Sequence, residues 1–288
     1  MRLPDTPEKM TQSRIPNTLT IAGLDPSGGA GILADVKAMS ALETFACAVV
    51  AALTAQNTQK VTDISPVSPY FVKKQIDTLM SDVDIDAIKI GMLGQAPVID
   101  ATAQALAHWK TPHIVVDPVM VAKSGDLLLE EQAVGALREA MIPLATVLTP
   151  NLPEAGVLLS SRPVETAKEM RRVAERLRRL MPDDDRRWVL LKGGHLPGDE
   201  LIDMLHDGDR LIEFQSHRIP TQHTHGTGCT LSAAIAAMLA RGLDVAEATR
   251  HARAYLLGAI THASSLSVGH GHGPVHHFHQ CWKNSTLQ

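Results

Sequence analysis

Aromatic residues are scarce in this 288-residue chain: phenylalanine, tryptophan and tyrosine together make up 3%. A core must then be built from aliphatic side chains and methionine. With 44% hydrophobic residues, the chain has enough of them for one large domain or two small ones. Cysteine is also sparse. Cys47, Cys229 and Cys281 are odd in number and widely spaced, which argues against a disulfide framework and fits a reducing, cytoplasmic setting. No run of eighteen or more apolar residues occurs, so the reading is neither signal peptide nor membrane helix. An excess of positive charge is missing too. The formal net charge of -4 gives no reason to expect non-specific nucleic-acid binding. The basic segment from Arg171 to Arg179 has the spacing of the wet face of an amphipathic helix.

What is present alternates. Short apolar runs at Thr18–Leu24, Cys47–Leu53, Ala87–Gly91, His113–Asp117, Thr146–Thr149 and Trp188–Lys192 read as buried strands. Helical patterns lie between and after them, near 29–43, 69–82, 95–109, 130–141 and 164–181. Leu201–Leu205 and Leu211–Phe214, joined through Asp207-Gly208-Asp209, read as a hairpin, and helices near 229–241 and 245–266 follow. This order predicts an α/β fold with a mostly parallel sheet covered on both faces. Ligands of such sheets bind beyond the carboxyl ends of the strands. No internal repeat or domain boundary is visible. Residues 1–16, polar and with three prolines, read as a flexible arm, 17–281 as a single domain and 282–288 as a tail.

The polar motifs all fall at predicted strand ends or helix starts. His225-Gly226-Thr227-Gly228-Cys229 opens an alanine-rich helix. The first N–H groups of a helix lack internal partners and can face an anion, and glycine lets the backbone approach closely. A cysteine there is favoured as thiolate by the helix dipole. Taken alone, the same segment is equally a plain turn with a structural cysteine. Gly23–Gly31 follows the first strand. Its Gly29-x-Gly31-x-x-Ala34 satisfies the relaxed dinucleotide fingerprint, but no Asp or Glu occurs between Thr44 and Lys60 to hold a ribose. No Walker A sequence occurs either. The loop is better read as a close wall for a small polar ligand, with Asp35 either reaching the same pocket or solvated on its helix.

Gln56 offers a donor and an acceptor to a heteroaromatic edge, or is a loop glutamine. Asp117 ends a strand and could orient a reacting hydroxyl or a metal-bound water, or cap the next turn; Lys123-Ser124-Gly125 follows in the same loop. Asn151 and Glu154, three apart, suit a hydrated Mg²⁺ or an N-terminal helix cap, or both. Lys192, beside Gly193 and Gly194, can set its ammonium on a phosphate. The histidines from His270 to His279 lack a clustered cysteine or carboxylate, so the segment reads as a closing loop before a metal site.

Taken in order, Thr20–Gly31, Ala55–Thr58, Lys89–Met92, Ala122–Asp126, Thr149–Glu154, Lys192–His195, His225–Thr230 and Gly273–Phe278 resemble the hydroxymethylpyrimidine/phosphomethylpyrimidine kinases of thiamine biosynthesis, in the ribokinase-like superfamily. The resemblance spans about residues 18–280. It implies a ribokinase-like three-layer α/β/α fold. It also implies ATP-dependent phosphorylation of 4-amino-5-hydroxymethyl-2-methylpyrimidine to its monophosphate and then its diphosphate. Gly226, Thr227, Gly228 and Cys229 would hold the transferring group, with Cys229 as base where the wider superfamily has aspartate. Gln56, Asp35, Gly23 and Met92 would line the pyrimidine, while Lys192, Asp117 and Asn151 would meet the nucleotide. Glu154, through water, and Asn151 would organise Mg²⁺. The cysteine also occurs in some pyridoxal kinases, so pyridoxal remains an alternative substrate, and a non-catalytic ligand-binding relative a third reading. The resemblance further implies a homodimer, with no nucleic-acid or membrane partner. Since the chain ends soon after 280, no fused thiamine-phosphate synthase domain is expected.

Overall fold

Nine strands form one sheet in a computed structural model that describes residues 14–121, 128–129, 132–162 and 164–282. In chain order they are β1 (Asn17–Leu24), β2 (Phe45–Gln56), β3 (Val61–Pro66), β4 (Ala87–Ile90), β5 (Ile114–Val116), β6 (Val147–Leu148), β7 (Trp188–Lys192), β8 (Glu200–His206) and β9 (Leu211–His217). Across the sheet the order is β3-β2-β1-β4-β5-β6-β7-β8-β9. The run from β2 to β7 is parallel, while β3 at one edge and β8 and β9 at the other are antiparallel.

Side chains of a strand alternate between faces, and both faces here are apolar. Ile88, Ile90, Ile114, Val116, Leu148, Val189 and Leu191 enter one core; Ala87, Val115, Val147, Trp188 and Leu190 enter the other. The first core is closed by α2 (Pro69–Met80), α3 (Ala96–Trp109), α4 (Ala133–Ala136), α5 (Leu152–Leu158) and α6 (Ala167–Arg178). The second is closed by α1 (Gly31–Ala41), α7 (Thr227–Ala240) and α8 (Val245–Thr261). The three-layer α/β/α architecture read from the alternation is therefore present. No described helix is long and apolar enough to cross a membrane.

Several expectations need adjustment. β2 runs three residues past Leu53, to Gln56, and pairs with β3, which the sequence reading missed. β3 is an edge strand with no buried position, so it carries no hydrophobic period. The first two residues of the helix expected near 130–141 lie outside the described residues, and the helix that is described starts at Ala133. It continues from α4 as a π turn over Leu137–Met141 and a short 3-10 turn. Most of the expected 1–16 arm, the Lys123–Gly125 contact and nearly all of the 282–288 tail also lie outside the described residues. Arg14, within the arm, is tied to Asp86 at 2.6 Å.

The strand order reverses between β1 and β4, the switch point at which open α/β sheets leave a crevice. α7 crosses beneath that crevice. Every residue from Thr230 to Leu239 in it is buried, and its alanines let it lie close to the sheet, α1 and α8.

The basic stretch on α6 is not uniformly wet. Arg178 is buried and donates to four carbonyls: Nε to Arg187 (2.9 Å) and Asp207 (2.8 Å), Nη1 to Pro182 (2.8 Å) and Nη2 to Asp184 (2.5 Å). One side chain thus ties the 182–187 connector to the β8–β9 turn. Hydrogen bonds from a charged donor are each worth ~1.5–3 kcal/mol. Arg178→Met should lower stability by about 3 kcal/mol. Urea denaturation should show a lower midpoint with an unchanged slope, and turnover should stay within a factor of about two because the site is remote.

Candidate active site

The site is built where the β1–α1 loop meets the start of α7. Gly226 has φ of 78°, and a Cβ there would sit 1.8 Å from the Gly29 carbonyl oxygen. Only glycine satisfies both the left-handed backbone and the contact. A Cβ on Gly29 would in turn meet the His225 ring at 2.2 Å. The two loops are pinned by His225 Nε2, 2.7 Å from Asp25 Oδ2. Asp25 also accepts from Ser27 N (2.8 Å), Ser27 Oγ (2.9 Å) and Ala30 N (3.0 Å). Burial works to raise its pKa, but His225 and Ser27 outweigh burial and hold it below the ordinary aspartate value. Sequence reasoning missed Asp25 and His225 as a pair. They stand 200 residues apart, and neither has a spacing that marks the other.

At the mouth of α7 the Thr230 N–H donates to the Gly226 carbonyl at 2.8 Å. The N–H groups of Gly228 and Cys229 have no carbonyl partner among the described residues. Beside them stands Lys192, whose Nζ donates to Asp117 Oδ1 at 2.9 Å. A Cβ on Gly228 would lie 3.5 Å from both Asp117 Oδ2 and Lys192 Nζ, so the helix mouth packs directly on that ion pair. Asp117 is almost fully buried and also accepts from Thr149 Oγ1 (3.1 Å) and Ser232 Oγ (3.3 Å). Burial pushes its carboxyl up; Lys192 and Lys89 more than offset this and its pKa is lowered. Lys192 is the mirror case. Burial pulls its pKa down, and Asp117 and Glu154 carry it above the ordinary lysine value.

Asn151 and Glu154 form a capping box at α5. Asn151 Oδ1 accepts from Glu154 N (2.9 Å), and Asn151 N donates to Glu154 Oε2 (2.7 Å). The Glu154 pKa is pushed up to about 7, first by burial, with Asp117 adding to it and Lys192 opposing it. Asn151 also forms a bridge with Lys192, which brings the cap beside the Lys192–Asp117 pair.

Two expectations change here. Cys229 is half-buried and accepts the Gly31 N–H on its sulfur, but it does not rest as a thiolate. Burial pushes its pKa up to about 11; Lys89 opposes the rise, while Asp35 and Asp117 add to it. Desolvation and two carboxylates outweigh the helix mouth. Asp35, expected either in the pocket or in solvent, is in neither. It is fully buried in α1, with Oδ2 accepting from Lys89 Nζ (2.8 Å) and Thr20 Oγ1 (2.6 Å).

Gly23 and Met92 face each other across the switch point, since a Cβ on Gly23 would meet the Met92 sulfur at 3.1 Å. Gln56 ends β2 half-buried, its Oε1 accepting from Thr54 Oγ1 at 3.0 Å. Thr54 also donates to the Leu24 carbonyl at 3.0 Å, which ties the Gln56 end of β2 to the β1–α1 loop. The C-terminal histidines form a strap. His277 Nε2 lies 3.0 Å from Thr230 Oγ1, and Tyr255 Oη donates to the His277 carbonyl at 2.7 Å. Burial pulls the His277 pKa down to about 3, so it bonds as a neutral ring. Among the described residues no group of three or more His, Cys, Asp or Glu side chains is placed to hold a metal ion.

Comparison with known proteins agrees with this geometry. Residues 25–276 match the family model for phosphomethylpyrimidine kinase. A hydroxymethylpyrimidine/phosphomethylpyrimidine kinase of Rhizobium meliloti is 49% identical over 266 residues, covering 92% of this chain and 98% of the relative. Among solved structures, a Staphylococcus aureus pyridoxal kinase in complex with AMP-PCP superposes with a TM-score of 0.84 at 32% identity, covering 93% of this chain and 95% of that one. A Clostridium difficile phosphomethylpyrimidine kinase does so with a TM-score of 0.75 at 38% identity, covering 85% and 99%. The chain belongs to the phosphomethylpyrimidine kinase family: it is a phosphotransferase with the ribokinase-like α/β fold.

Proposed function

We propose that the chain transfers the γ-phosphoryl group of ATP to the hydroxymethyl group of 4-amino-5-hydroxymethyl-2-methylpyrimidine, and then a second phosphoryl group to the monophosphate. The observation that carries this reading is the helix mouth, where the N–H groups of Gly228 and Cys229 are without carbonyl partners among the described residues and Gly228 packs on the Lys192–Asp117 pair. Donors already fixed in place suit a charge that develops on a travelling phosphoryl group. The 49% identity with a kinase named for these two substrates supports the pyrimidine over pyridoxal. The pyridoxal kinase in complex with AMP-PCP, an ATP analogue, supports the nucleotide.

Gln56 is assigned to the amino and ring-nitrogen edge of the pyrimidine, with Gly23 and Met92 as the floor beneath the ring. Lys192 carries the positive charge facing the nucleotide phosphates, and Asp117 holds that ammonium in place. Cys229 takes the hydroxyl proton. Because its resting form is the thiol, the thiolate is a minority species, drawn upon as the hydroxyl oxygen attacks phosphorus.

The donor set fits Mg²⁺. Glu154 is a buried carboxylate whose pKa burial pushes up to about 7, and the capping box engages only its Oε2. Mg²⁺ takes oxygen ligands, keeps several waters and needs few protein groups. Glu154 would hold it through water, with the Asn151 amide oxygen beside it; when bound, the ion neutralises phosphate oxygens.

Four outcomes follow. Cys229→Ala should lose ~10²–10⁴-fold in kcat, the usual worth of a positioned base, with a melting temperature near that of the parent. Near-normal turnover would remove the sulfur from proton transfer. Gln56→Ala should raise the KM for the pyrimidine about tenfold or more and leave the KM for ATP unchanged. Product analysis with ATP, Mg²⁺ and either alcohol tests the reaction itself, and preferential conversion of pyridoxal would overturn the substrate assignment. Glu154→Gln keeps an acceptor for the Asn151 N–H but loses the charge. The Mg²⁺ concentration for half-maximal rate should rise ~10–100-fold while the unfolding midpoint is retained.

A further inference from the structure

Beneath the reacting groups lies an ion pair that the mechanism above does not use. Lys89 and Asp35 are both fully buried, joined at 2.8 Å. Asp35 Oδ2 takes both donors, Lys89 and Thr20, while Oδ1 is buried with no hydrogen-bond partner among the described residues. Strand alternation places Lys89 on the face that α7 covers, opposite Ile88 and Ile90. Gly91 leaves room for the ammonium, since a Cβ there would come within 2.6 Å of Nζ. Asp35 lies one turn beyond Gly31, and it is the Gly31 N–H that meets the Cys229 sulfur.

Such a pair is a poor investment in stability. A well-packed apolar pair of similar volume is commonly as stable or more so. Half of the Asp35 carboxylate is, moreover, without a partner among the described residues. Its placement suggests another use. The helix that carries the sulfur, α7, packs on α1 and β4, and four charged side chains act on the sulfur electrostatically: Lys89 from β4, Asp35 from α1, Asp117 from the end of β5 and Lys192 from the end of β7. Asp117 and Lys192 are committed to each other and to the nucleotide side of the site. Lys89 and Asp35 face no solvent and no substrate, so their field acts inward.

We propose that Lys89 and Asp35 are positioning residues for the phosphoryl transfer: their sealed ion pair sets the electrostatic potential at the Cys229 sulfur, the ammonium favouring the thiolate and the carboxylate opposing it. This rests on the reading of Cys229 as proton acceptor. It makes the acceptor tunable from below, without any contact to substrate. The directions already assigned agree, since Lys89 works against the high pKa of Cys229 and Asp35 works for it.

The test reads the sulfur, not turnover. In the full chain with Cys47→Ser and Cys281→Ser, the rate of Cys229 alkylation by iodoacetamide is followed against pH by mass spectrometry. Lys89→Met should move the midpoint up, and Asp35→Asn, which keeps the Thr20 bond, should move it down. A charge at this range is worth roughly one pH unit or more, a tenfold change in thiolate at fixed pH. Opposite shifts support the proposal, because general loosening of the core would move both variants the same way. Shifts in the same direction, or midpoints equal to the parent's, overturn it. Should Lys89→Met not fold, the near-isosteric Asp35→Asn decides alone: a lower midpoint supports, an unchanged or higher one overturns. The acid limb of kcat/KM, measured on the same variants, separates the two claims. Opposite alkylation shifts with an unmoved rate profile would leave the field at the sulfur intact and remove Cys229 as base.

Discussion

Two stretches of backbone meet here with no space for a side chain between them. Gly226 lies against the Gly29 carbonyl, and the His225–Asp25 bond holds the two loops in that contact. The rest of the site depends on this approach. It seats the N-terminus of α7 at the switch point and brings the Cys229 sulfur to the Gly31 N–H. It also sets Gly228 against Asp117 and Lys192. The approach is possible because α7 is buried along most of its length and rich in alanine, so the helix comes close to the sheet. A helix mouth in water would hydrate its free N–H groups; this one is held in a crevice where they retain their strength toward an anion.

The charges around that mouth form layers. Lys89 and Asp35 lie sealed at the bottom, Lys192 and Asp117 above them, and Glu154 beside Lys192. Full ionisation would put three carboxylates against two ammonium groups. Burial first, with the carboxylates outnumbering the ammonium groups adding to it, is why Glu154 rises to about 7 and the Cys229 thiol to about 11, while both lysines hold their protons firmly. A site in this condition favours an arriving cation. It also makes the sulfur's protonation sensitive to what binds next to it.

Much of the fold was legible because it rests on period. Runs such as Ile114–Val116 and Trp188–Lys192 have no polar break, which marks a strand covered on both faces, and these are strands of the parallel sheet. β3 was not legible, since an exposed edge strand owes its existence to β2 and not to its own pattern. Within the site, Asn151 and Glu154 were readable because a capping box is local, three residues long. The burial of Arg178, the withdrawal of Asp35 from the pocket and the pairing of Asp25 with His225 were not. Each depends on what a distant segment brings to it.

Chain order alone accounts for the layering, the glycine-rich turn ahead of an alanine-rich helix, and the polar residues at strand ends. These follow from side-chain period and backbone chemistry within a few residues. It took packing in three dimensions to keep Cys229 as a thiol, to lock Asp35 to Lys89 and to lay the mouth of α7 on the Lys192–Asp117 pair. Protonation and charge pairing are set by distance and by exclusion of water. Those quantities exist only once residues far apart in the chain have been packed together.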